Sequence, residues 1–65
     1  MNDTDMEKLE YLVDEYFLPD VVASLSKICR LKVDDLRGQD KETARKFESY
    51  SDILNTAREK IDTVV

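Results

Sequence analysis

The sequence predicts an all-α fold: a helical hairpin (helices over about 19–36 and 40–63) with an additional N-terminal helix over about 4–17, two copies of the chain forming a dimeric helical bundle. Three observations predict it. Apolar residues recur at three- and four-residue spacing along almost the whole chain, the signature of amphipathic helices. The single proline, Pro19, and the single glycine, Gly38, fall where that spacing breaks. Finally, 65 residues make one small helical domain, 1–65, in which apolar burial barely balances ordering entropy, so a shared core is favoured.

The first helix is signalled by Thr4 and Glu7, spaced as a capping box, with Asp3 and Asp5 adding negative charge where the helix dipole is positive. Met6, Leu9, Leu12, Val13 and Tyr16 form its apolar stripe, widened by Tyr11 and Phe17. Pro19 disfavours a helical conformation at Leu18 and suits the first turn of a new helix, so a boundary falls there as a sharp turn or a kink.

In the second helix the packing seam reads Leu18, Val22, Leu25, Cys29, Lys32 and Leu36, and Val21, Ile28 and Val33 form an extra strip beside it. Gly38 after Arg37 reads as a C-terminal cap, and Asp40 offers the N-cap of the third helix. There Phe47, Tyr50, Leu54, Ala57, Ile61 and Val64 continue a 3-4-3-4-3 spacing from Thr43, with Ile53 off the seam. The short connection between two helices of similar length predicts an αα-hairpin.

One hairpin seam does not use all of these residues. The first helix could close a three-helix monomer, in cis or exchanged between chains, or two chains could pair their strips as an isologous dimer. The short chain favours the dimer. Val21, Leu25, Ile28, Cys29, Phe47, Tyr50, Leu54 and Ile61 are the expected core and dimer residues.

Composition limits the chemistry. There is no histidine and one cysteine, so His-based acid–base catalysis, a Cys/His zinc site and an internal disulfide are excluded; no catalytic residue, metal ligand or cofactor is expected. Cys29 lies on the apolar stripe and reads as a small buried hydrophobe, fitting a reducing cytoplasm. The acidic N-terminus lacks the apolar stretch of a targeting segment, and no apolar run approaches the ~20 residues of a membrane span.

The formal net charge of −5 is unevenly placed. The first 20 residues carry seven acids against Lys8, whereas the rest of the chain is nearly balanced. Nucleic acid is therefore a disfavoured partner, and a basic protein surface a favoured one. Glu7, Glu10 and Asp14 share one side of the first helix; with Tyr11 and Glu15 they make a candidate partner-binding surface, whose plain alternative is solubility. Lys27, Arg30 and Arg37 lie near one side of the second helix. They could clamp a small anionic ligand or nucleotide at a dimer interface, or be neutralised by Asp34 and Asp35 as a solvated face.

The run Ile28-Cys29-Arg30-Leu31-Lys32-Val33-Asp34-Asp35-Leu36, followed by Gln39-Asp40 and a charged helix, resembles a group of small helical proteins encoded by phages and prophages. Their shared pattern is an ICxLKxxxL helix, a turn ending in QD and an alanine-rich charged helix, and the similarity covers residues 18 to 62. This chain has Val33 for the group's usual alanine, Asp35 for its histidine and Gly38 in a turn that often holds an aromatic. The resemblance implies an accessory product in the host cytoplasm that binds a host protein and blocks or redirects it, or sequesters a defence signal.

Overall fold

Asn2, rather than Thr4, opens the first helix in the computed structural model, which describes residues 1–64. Its side-chain oxygen accepts from the Asp5 N–H at 2.8 Å, so α1 runs Asp3–Tyr16. The expected Thr4/Glu7 capping box gives way because asparagine caps at least as well as threonine, and this start brings Asp3 and Asp5 into the first turn.

A single residue then turns the chain. Phe17 ends α1, its N–H bonding to the Val13 carbonyl at 2.9 Å, and also stands at the N-cap of α2, Leu18–Leu36. Its φ of 66° and ψ of 154° lie in a region adopted almost only by glycine. The break is thus a sharp turn, not a kink, and Phe17 lies outside the helix expected to include it. Pro19 occupies the first turn of α2, where a missing N–H leaves no intrahelical bond unmade.

Gly38 directly follows the Arg37 C-cap of α2, where the sequence places the helix end, but without the left-handed conformation such a cap usually takes. The turn is closed instead by the N–H groups of Gln39 and Asp40, which both donate to the Leu36 carbonyl, at 3.0 and 2.8 Å. Asp40 caps α3, Lys41–Asp62, as the sequence predicts: one carboxylate oxygen accepts from the Thr43 N–H at 3.1 Å and the other from its hydroxyl at 2.7 Å. No strand occurs among the described residues, and none of these helices is long and apolar enough to cross a membrane.

Helices α2 and α3 pack along their length as the expected hairpin, but on a different seam. Val22, Ser26 and Val33 of α2 are buried against Ala44 and Ser51 of α3, with Cys29, Leu36, Phe47, Leu54 and Ile61 half-buried among them. Both sides keep a heptad rhythm, yet Ser26 and Val33 replace Leu25 and Lys32, and Ala44 and Ser51 replace Thr43 and Tyr50. Small side chains let the backbones approach closely. Their hydroxyls satisfy one another: Ser26 Oγ lies 3.0 Å from Ser51 Oγ, 3.2 Å from the Ser51 carbonyl and 2.8 Å from Asn55 Oδ1. Ser51 is completely buried, and among the described residues no buried side-chain polar atom lacks a partner.

Helix α1 does not complete a three-helix core. It touches α2 lightly, does not meet α3, and contains no buried residue. The helices spread into a slab of 39 × 30 × 13 Å. The radius of gyration is 13.5 Å, against about 11 Å for a compact chain of this length.

Candidate functional site

Helical spacing gives α1 two faces, and the hairpin covers neither fully. Glu7, Glu10, Asp14 and Glu15 are all exposed and flank the apolar stripe, Glu7 and Glu10 beside Met6 and Leu9, and Tyr11, expected to widen that stripe, stands among the acids at 64% exposed. Among the described residues no α1 carboxylate lies in an ion pair; the pairs that form belong to α2 and α3. The acidic excess of the first 20 residues is therefore uncompensated by the fold. At the helix end Tyr16 and, just beyond it, Phe17 are also exposed, Phe17 at 74% in its glycine-like conformation. An aromatic tip next to an acidic face can offer stacking area and charge steering to a basic surface.

The second face of α1 is apolar. Leu9, Leu12 and Tyr16 look across an open wedge toward Val21, Leu25 and Ile28 of α2. Leu25 also borders a shallower groove between α2 and α3, where Cys29, Leu54, Tyr50 and Ile53 lie. The two depressions meet at Leu25 and make one apolar surface spanning all three helices.

The basic residues are arranged differently. Lys27 and Arg30 of α2 and Arg37 at its C-cap are all exposed. Arg30 reaches Asp52 of α3 at 3.7 Å, and Arg37 lies 3.9 Å from Asp34, one turn away. Both pairs stand in solvent, where such contacts contribute little. Two of the three guanidinium or ammonium groups thus already face carboxylates.

Of the expected core and dimer residues, Val21, Cys29, Phe47, Leu54 and Ile61 are half-buried, whereas Leu25, Ile28 and Tyr50 remain exposed. Tyr50 instead stacks edge-on against Phe47, ring centroids 5.6 Å apart. Ser26, Ser51 and Asn55 are not among the residues that the apolar spacing points to, because that spacing marks only apolar side chains. Their signal lay in position: Val22, Ser26, Cys29, Val33 and Leu36 keep an unbroken 4-3-4-3 rhythm.

Fold and surface together define the class: an all-α helical hairpin carrying a projecting two-faced helix. Compared with protein-family models, curated proteins and solved structures, the chain matches none.

Proposed function

We propose that this chain is a non-enzymatic, homodimeric protein-binding module, of phage or prophage origin, that inhibits or modulates a host protein in the host cytoplasm by occlusion. Glu7, Glu10, Asp14 and Glu15 steer the encounter with a basic surface, and Tyr11 supplies an aromatic anchor. The single observation that carries this reading is the state of α1: an ordered helix with no buried residue, whose carboxylates are unpaired among the described residues. The resemblance of residues 18 to 62 to small phage-encoded proteins supplies the host context.

The test compares the wild-type chain with a charge-reversed variant, Glu7→Lys with Glu10→Lys, and with Tyr11→Ala, as baits in host lysate. A partner retained by wild type and lost by both variants is then purified and its association rate measured against salt. That rate is expected to fall about tenfold or more between low and high salt. A bound set identical for all three baits, or a salt-independent rate, overturns the reading.

A further inference from the structure

We infer that a second copy of this chain occupies the α1–α2 wedge, the apolar stripe of each α1 lying on the partner's Val21, Leu25 and Ile28. This rests on the homodimer in the proposed function and specifies the faces that form it.

The surface area sets the scale. The chain exposes 5491 Å², whereas a compact monomer of its mass exposes about 4,300 Å². The excess is about 1,200 Å² per chain, or about 2,400 Å² for two, which falls among stable dimer interfaces. Pairing the slabs through their apolar sides removes surface of this order.

The helix itself makes the same demand. A 14-residue helix is marginal in water unless an amphipathic face is packed, and the hairpin of its own chain covers that face only in part, leaving Leu9 and Val13 half-buried and Met6, Leu12 and Tyr16 exposed. Across the wedge Ile28 is 50% exposed and Leu12 39% exposed, so both sides of the proposed contact are apolar and unfilled. Charge fixes the orientation. Beyond the first turn the acids of α1, Glu7, Glu10, Asp14 and Glu15, are exposed and flank the stripe rather than interrupt it, so two-fold exchange buries the stripes, leaves these carboxylates in water and keeps them available to another protein.

Sedimentation equilibrium of the intact chain gives the mass, and isotope-filtered NMR of mixed labelled and unlabelled chains reads which faces touch. The expected mass is twice the 7.6 kDa of one chain, with intermolecular methyl contacts between Leu12 and Ile28. Leu12→Asp and Ile28→Asp should each weaken dimerisation at least about tenfold, whereas Leu31→Asp, an exposed apolar position of α2 not lining the wedge, should leave it unchanged. A helical monomer at about 200 µM overturns both the dimer and this assignment. A dimer that persists in both wedge variants, without Leu12–Ile28 contacts between chains, overturns the assignment alone. The NMR contacts in the wild-type chain decide the matter even if a variant does not fold.

Discussion

At the scale of single residues, Asp40 ties the start of α3 to pH. Its carboxyl is held below the ordinary value of 3.8, first by the Thr43 hydroxyl and then by the Thr43 backbone N–H. A depressed folded value means that the cap's contribution is present above the ordinary range and is lost as pH falls through the folded value. Asp40→Ala should therefore lower the melting temperature at pH 7, and the difference from wild type should shrink toward pH 2. Melting curves that stay equally far apart at both pH values would contradict this. Gly38 offers the opposite change. It has no positive φ, and a methyl group there meets nothing within 4 Å, so Gly38→Ala should stabilise the fold by about 0.4–1 kcal/mol in urea denaturation. Phe17 differs again, since its backbone conformation suits glycine. Phe17→Gly should relieve about 1 kcal/mol or more of local strain, raising the melting temperature while removing the exposed ring from any partner contact.

Among the elements, the hairpin seam depends on its small residues. Ser51 is fully buried and bonded to Ser26, so Ser51→Leu should cost about 1–3 kcal/mol through overpacking and push α2 and α3 apart. The expected seam predicts little change, because it places position 51 outside the contact. Chemical denaturation of this one variant separates the two registers. The helices themselves were readable from Pro19, Gly38, Asp40 and the apolar spacing, to within two residues. The register was not. Two heptad readings shared Val22, Cys29, Leu36, Phe47, Leu54 and Ile61, and hydrophobicity favoured Leu25 and Tyr50 over the serines that actually meet. Close approach and mutual hydrogen bonding decide such a choice, and both are properties of a pair of helices.

For the whole molecule, shape and charge matter most. A slab with α1 projecting from one edge has more surface than its mass warrants, and stability should then depend on association. The melting temperature is expected to rise with protein concentration, as for any fold completed by a second chain. A melting temperature constant from about 2 to about 200 µM would be the mark of a self-sufficient monomer. The candidate surface was legible to the extent that the acids and Tyr11 share a face by helical spacing alone. That they stay exposed and, among the described residues, free of ion pairs could not be read from spacing, which does not show where Lys and Arg elsewhere in the chain fold.

The sequence by itself determined three helices, their breaks, the Asp40 cap and the concentration of acid in the first 20 residues, because each follows from interactions among residues near one another in the chain. Only the tertiary structure decided that Phe17 turns the chain in one residue, that serines form the hairpin seam, and that neither face of α1 is fully covered. Those outcomes depend on which surfaces fit when distant segments meet, and in a chain this short the fit leaves an apolar wedge unfilled.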